Sequence, residues 1–344
     1  MLRSLYAGIS GMKVNQVKLD VIANNISNAG TTAFKSSRVR FQDMVSQSMS
    51  EALAPGTNQG GVNAKQVGLG VQVAGIDTMV GQGMMQPTSR NLDVAMDGEG
   101  YLMVAKGAVP TTNAGGVLLD KTSAIDAASP SKLELNYTRD GALTLDNAGN
   151  LLNSDGLRVL GYSITDTGNA AGAKSLEYTG GKPVSTYVSA DSTDLKAGAN
   201  LVPLVIPTEV VTVAGTPPTT ARITTFSIEK DGTIKAVLAD GKVAVLGQIA
   251  MASFKNPAGL SKVGGNIYTS TANSGDAVIR SGTGAITDNS GSYGDMLQGM
   301  LEMSNVDLAE QFTDMIVAQR AFQAAGKAIT TGDEILQEII GLKR

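Results

Sequence analysis

Asp93, Asp97 and Glu99, in the stretch NLDVAMDGEG, are the side chains whose type and spacing come nearest to catalysis in this sequence. Two carboxylates a few residues apart could act as acid and base, or acid and nucleophile, in glycoside or peptide hydrolysis. The plainer reading is a turn, because Asp-Gly closing an alternating run is what a tight hairpin demands, with the acid left in solvent. DNAGNLLNSDG, residues 146–156, faintly resembles a calcium loop but lacks the D-x-[DN]-x-[DN]-G spacing and the distal glutamate. GLG at 68–70 lacks the rest of a dinucleotide fingerprint, and no P-loop is present. The chain has no cysteine, histidine or tryptophan. That removes disulfides, Cys/His zinc sites, a Ser-His-Asp triad and the usual near-neutral proton shuttle together. The expectation is therefore no catalytic residue, no cofactor, no metal and no enzyme. The rival class is a secreted carbohydrate-active or adhesive β-protein working through Asp93 or Asp97.

Whatever these residues do must be set by the elements around them. At 344 residues the chain is long enough for two or three domains. Its 31 acids against 27 bases leave a net charge of −4, with no basic field to draw nucleic acid or an anionic membrane. No run approaches eighteen apolar residues, so no membrane insertion is expected. Ser4, Ser10 and Lys13 interrupt the N-terminal apolar run, so no cleavable secretory signal is expected either.

All ten prolines fall between Pro55 and Pro257, which leaves both ends free to be helical. Leu2, Leu5, Ile9, Met12, Gln16, Leu19, Ala23 and Ile26 recur in steps of three and four, the pattern of a coiled-coil seam, with Ile22 beside it. At the other end Leu301, Leu308, Met315, Phe322, Ile329 and Leu336 are seven apart, flanked by Phe312, Ala318, Ala325, Ile339 and Ile340. Ser304 and Asp307 form a start signal that places the N-cap near Ser304. Gly8 and Gly11 cost helix propensity, which makes sense where another backbone comes close. Asn24, Asn25 and Asn28 are most cheaply helix-ending residues; a functional version has their amides fix how the chain leaves the helix.

Between the helices the period falls to two. Asp-Gly pairs at 97–98, 140–141, 155–156, 231–232 and 240–241 read as hairpin turns. Residues 105–131 read as a surface insertion and 165–222 as a separate small β-domain. The fold class is α+β, with long N- and C-terminal coiled-coil helices and hairpin-rich all-β middle domains. The expected domains are 1–30 with 300–344, a helical polymerisation domain; 31–70, a connecting segment; 71–162 with 226–299, an inner β-domain; and 163–225, an outer one. An amphipathic helix gains most of its stability from packing its stripe, and the one comparable stripe lies at the other end of the chain. A helix pair alone still leaves faces exposed, so the seam is expected to double as a surface for neighbouring copies. Some of the 14 methionines, Met84 and Met85 among them, could lie between subunits, although core gap-filling is the commoner role.

ANNISNAGTTAFKSSRVRFQDM, residues 23–44, resembles the signature of bacterial flagellar rod and hook proteins, carried by Asn24, Asn25, Asn28, Thr32, Phe34 and Lys35. Residues 304–344 are similar to the C-terminal helix of that family, and the stretches 66–104, 137–162 and 259–275 are similar to its hook members more than its rod members. Residues 163–225 carry no such likeness. Ala33 stands where glycine is usual in the family, and Ala29-Gly30 where Val-Asn is usual. The resemblance implies a helical homopolymer, a tube that works as a universal joint passing torque from rod to filament, with a distal rod subunit as the alternative. It also implies extracellular localisation in the flagellar hook or basal body, and export through the flagellar type III apparatus without signal cleavage. The implied partners are further copies of the chain, rod protein, hook cap and hook-filament junction proteins. On this reading Leu2, Leu5, Ile9, Met12, Leu19, Ile22, Ile26, Leu301, Leu308, Phe312, Met315, Phe322, Ile329 and Leu336 form the polymerisation interface.

Overall fold

The structure is a computed structural model that describes residues 2–56, 60–118, 133–166, 173–192, 194–213, 219–280 and 294–342. The chain is mostly β with one long helix at each end. It folds as two compact units: Met1–Gly30, Lys35–Met79 and Asn305–Arg344 form the first, Thr31–Phe34 and Val80–Ser304 the second.

In the first unit, helix α1 (Leu2–Ser27) and helix α2 (Leu308–Gly341) lie antiparallel. A Cβ on Gly8 would come within 2.9 Å of Ile329 Cγ1, one on Gly11 within 3.7 Å of the Ala325 side chain, and one on Gly332 within 3.1 Å of Leu5. Both N-terminal glycines thus sit where the helices approach closely, as their propensity cost suggests. At the opposite end of the pair Lys18 Nζ lies 3.4 Å from Asp314, and Asn25 Nδ2 donates to Gln311 Oε1. The helices are joined by an antiparallel ribbon in which Ser37–Asp43 pairs with Val71–Thr78 and Ser46–Ser50 pairs with Lys65–Gly68.

Two expectations at the second helix are corrected. Its N-cap is Asp307, whose Oδ1 accepts from the backbone N–H of Ala309 and Glu310, and not Ser304. Residues before the cap are held extended, because Asn305 Oδ1 accepts from the Ser36 N–H and its Nδ2 donates to Met79 O. Leu301 lies in neither the helix nor its stripe. It falls in the strand Met300–Glu302, paired with Gln86 of Met85–Pro87, so the seven-residue spacing from Leu308 back to Leu301 is coincidental.

The second unit is built on one large sheet in which, among the described residues, every ladder between strands is antiparallel. Its main path runs Glu209–Val213, Thr219–Ile228, Thr233–Leu238, Val243–Ile249, Arg158–Asp166, Tyr101–Lys106, Glu134–Thr138, Ile267–Thr269, Ser261–Gly264. The central strands are apolar on both faces and do not alternate with polar residues. Along Tyr101–Lys106, Leu102 and Val104 enter one buried cluster while Tyr101, Met103 and Ala105 enter another. A strand covered on both sides reads as a continuous apolar run. Strands drawn from 163–225, such as Leu195–Pro203 and Thr219–Ile228, continue this same sheet.

Three of the five Asp-Gly pairs make the expected turn. At 155–156, 231–232 and 240–241 the glycine takes a left-handed φ near +80° and its N–H returns to the carbonyl three residues earlier. The other two do not close hairpins. Val94–Asp97 pairs with Asp295–Gln298 and not with the strand after Gly98, and Gly141 is glycine because a Cβ there would lie 1.6 Å from Val94 O. Of the expected surface insertion at 105–131, residues 119–132 lie outside the described residues, while Val117 is fully buried and pairs with Leu201.

Candidate assembly interface

Most of the large exposed apolar side chains among the described residues lie on the first unit. In α1, Val14, Ile22 and Asn25 are buried, with Leu5, Met12, Leu19 and Ile26 half-buried. Ile9, placed on the expected seam, is 39% exposed, and Tyr6 outside it 68%. The buried arc is shifted and wider than a two-per-heptad seam because α1 packs against α2 on one side and the ribbon on another, where the Val71 N–H donates to Ser10 Oγ. The side chain of Leu2 lies outside the described residues.

In α2 only Ala318 is fully buried. Met315, Ile329 and Leu336 are half-buried toward α1, but Leu308, Phe312 and Phe322 face solvent. Sequence reasoning missed Ile316 and Val317, exposed by 59% and 56%, and did not include Ile335. The heptad register selects one stripe, and a helix apolar on several faces hides the others from it. The ribbon is similarly uncovered: Phe41, Val45, Met49, Leu53, Val62, Val67 and Ile76 are all exposed. A two-stranded ribbon is marginal in water by itself, so these residues need cover. Among the methionines, Met96, Met103, Met251 and Met296 are buried, whereas Met49 and Met84 are largely exposed.

The family-motif residues divide by role. Asn25 Nδ2 donates to Ser37 O at 2.8 Å and its Oδ1 accepts from the Ser37 N–H at 3.0 Å, so one amide fixes where the chain goes after α1. Asn28 donates to the carbonyl and side chain of Asn24, which ends the helix. Lys35, also in the first unit, is 1% exposed. Thr31–Phe34 belongs to the second unit. There the Thr32 hydroxyl donates to Asp140 Oδ1, the Ala33 N–H donates to Glu302 O, and Lys262 lies 4.9 Å from the Phe34 ring centre. Ala33 holds a left-handed φ of 55°.

Of the carboxylates first weighed for chemistry, Glu99 is exposed and the other two have structural occupations. Asp93 is buried and accepts from the Arg90 guanidinium, while Asp97 sits in the ladder to Asp295 and accepts from Gln82. Among the described residues no three acids, histidines or cysteines cluster as metal ligands, and no helix is long and apolar enough to cross a membrane. Among the described residues the most buried ion pair is Arg139–Glu302, at 3.3 Å to both carboxylate oxygens, with the Gly83 N–H also donating to Glu302 and Arg139 donating to Gly98 O over the Tyr101 ring. It locks the last strand of the second unit.

Family models match three stretches. Residues 5–35 match the flagella basal body rod protein, 128–236 the flagellar hook protein FlgE/F/G D1 domain, and 297–342 the flagellar basal body rod FlgEFG protein C-terminal. The D1 match runs straight through 163–225, where the sequence by itself offered no likeness. Over all of both chains the protein is 40% identical to the flagellar basal-body rod protein FlgG of Bacillus subtilis. It is 30% identical to the flagellar hook protein FlgE of Borreliella burgdorferi and 31% to that of Treponema pallidum, again over all of both chains. A solved hook protein structure, FlgE2 of Helicobacter pylori, covers 63% of this chain and all of its own at a TM-score of 0.38 and 10% identity, too loose a fit to argue from. Matched at both ends and through the β-region, the chain belongs to the family of flagellar rod and hook axial proteins, structural components of the flagellar basal body and hook.

Proposed function

We propose that the chain is the subunit of the flagellar hook, polymerising into a flexible tube that carries torque from rod to filament. The observation that carries the polymerisation is α2, a 34-residue helix with one fully buried residue and large apolar side chains in water along its length. Burying such a side chain is worth about 1.5–3 kcal/mol when complete, and the single chain leaves much of that unrealised. In the tube the helices of many copies form a coiled-coil inner layer through the seam residues named above. Stiffness lies in the packed helix layer and compliance in the wetter contacts between β-surfaces, which can re-pair. Export through the flagellar type III apparatus and joining to rod, cap and junction proteins follow from the same reading.

A second reading, a distal rod subunit, is favoured by the 40% identity to a rod protein, which aligns over 344 residues where the hook relatives need 472 and 473. Electron microscopy of the purified full chain at rising concentration separates the cases. Curved tubes support the hook, straight tubes the rod, and a chain that stays monomeric at high concentration overturns polymerisation itself.

A further inference from the structure

Thr31–Phe34 sits in the second unit although its neighbours on both sides belong to the first. The segment is a turn, with the Phe34 N–H donating to Thr31 O at 3.5 Å and Ala33 left-handed at its third position. Three hydrogen bonds grip it: the Thr32 hydroxyl donates to Asp140 Oδ1 at 3.2 Å, Asn266 Nδ2 donates to Thr32 O at 2.8 Å, and the Ala33 N–H donates to Glu302 O at 2.8 Å. Phe34 is buried, with Lys262 over its ring. The gripping groups are fixed by bonds that do not involve the segment. Thr138 Oγ1 donates to Asn266 O and accepts from the Asp140 N–H, Ser154 donates to Asp140 Oδ2, and Arg139 and the Gly83 N–H hold the Glu302 carboxylate. Among the described residues Ala33, Ser89 and Asn266 are the non-glycines with left-handed backbone, and two of these three meet here. Strained backbone collects at ligand clamps.

We propose that the second unit carries a preformed peptide-binding seat, filled in the single chain by the turn Thr31–Phe34 and able to take the same turn from outside when that segment is removed. The proposal does not depend on polymerisation. A core segment is shaped together with its surroundings, whereas a ligand enters a site whose donors and acceptors already stand in place, so that little ordering remains on binding. Each group of the seat selects one feature of its guest. Asn266 Nδ2 needs a carbonyl, Asp140 Oδ1 a hydroxyl and Glu302 O an N–H, while Lys262 meets the face of an aromatic ring. The ligand class is therefore a peptide turn with a hydroxyl residue, then a small residue that accepts left-handed backbone, then an aromatic one. So few contacts give a free peptide a dissociation constant on the order of a millimolar. The tethered segment prevails through its effective concentration.

The test uses the full chain carrying Thr32→Val with Phe34→Ala, which empties the seat, and a synthetic peptide of residues 29–36 at millimolar concentration. Circular dichroism of this variant should retain the β signal. Saturation-transfer NMR should reach the Phe34 ring and the Thr32 methyl of the peptide, and the peptide should raise the variant's melting midpoint by about 2 °C. On the unchanged chain, whose seat is taken, transfer should be at least about fivefold weaker. A peptide bearing the same two substitutions should receive none. Nor should the normal peptide on an emptied variant that also carries Asn266→Gly, which keeps the left-handed backbone and removes the amide. Equal transfer on the emptied and unchanged chains would overturn the proposal, as would no transfer on the emptied one or transfer that survives Asn266→Gly. Collapse of the β signal on emptying would overturn it too, since the turn would then belong to the core and no seat would stand without it.

Discussion

Ala33 pays a backbone cost that its neighbours impose. Its N–H is committed to Glu302 O while Thr32 and Phe34 are held on either side, so the residue stays left-handed although its Cβ disfavours that conformation. Ala33→Gly should raise the stability of the second unit by up to about 1 kcal/mol, a shift of a few degrees in melting temperature. An unchanged or lower midpoint would show the strain to be relieved already. Asn25 presents the reverse case, since its three hydrogen bonds to Ser37 and Gln311 lie in a buried site. Asn25→Ala should cost the first unit about 2–3 kcal/mol, because the Ser37 N–H and C=O lose their partner without gaining water. Thermal melts followed at 222 nm would register it, and a loss under about 0.5 kcal/mol would deny the amide its positioning role. That asparagines crowd the end of α1 was plain from the sequence. Which of them reaches across was not, since the partners lie in a strand start and a helix 286 residues away.

At the scale of elements, the helices were legible and the strands less so. Proline exclusion and three-four spacing find both helices, because a packed stripe leaves a period that local sequence records. The start of α2 was misplaced since Ser304 and Asp307 are both good caps, and the choice is made by Asn305, whose amide holds the chain extended. Strands covered on both faces lose their alternation, and two Asp-Gly pairs close no hairpin because tertiary pairing, not the turn, places their strands. The tyrosines of this sheet make it sensitive to base. Burial, with the Asp276 charge adding to it, pushes Tyr137 up to about 12 from the ordinary value near 10. Burial likewise raises Tyr101, Tyr178 and Tyr268, the last two well beyond it. A pKa raised on folding contributes stability that is whole below the unfolded value and lost as pH climbs through the folded one. The second unit should therefore hold at pH 9 and weaken progressively above about pH 10, with tyrosinate absorbance appearing together with loss of the β signal. Tyrosinate forming well before any loss of structure would contradict this burial.

For the molecule as a whole, the boundary between units sets where it can be cut. A fragment of residues 80–304 retains Glu302, and should fold and remain monomeric in sedimentation. Ending it at residue 300 strips the carboxylate from Arg139, leaving a buried guanidinium unpaired at a cost of about 3–5 kcal/mol. The shorter fragment should melt far below the longer one, and equal midpoints would make the ion pair incidental.

The antiparallel helix pair also imposes an order on events. Leu5 packs beside Gly332, so the first turns of the polypeptide find their mate only when almost the last have been made. Loop closure over such a span comes late. A chain released short of residue 308 presents an α1 covered by the ribbon alone, with the side that Gly8 and Gly11 open toward α2 left bare.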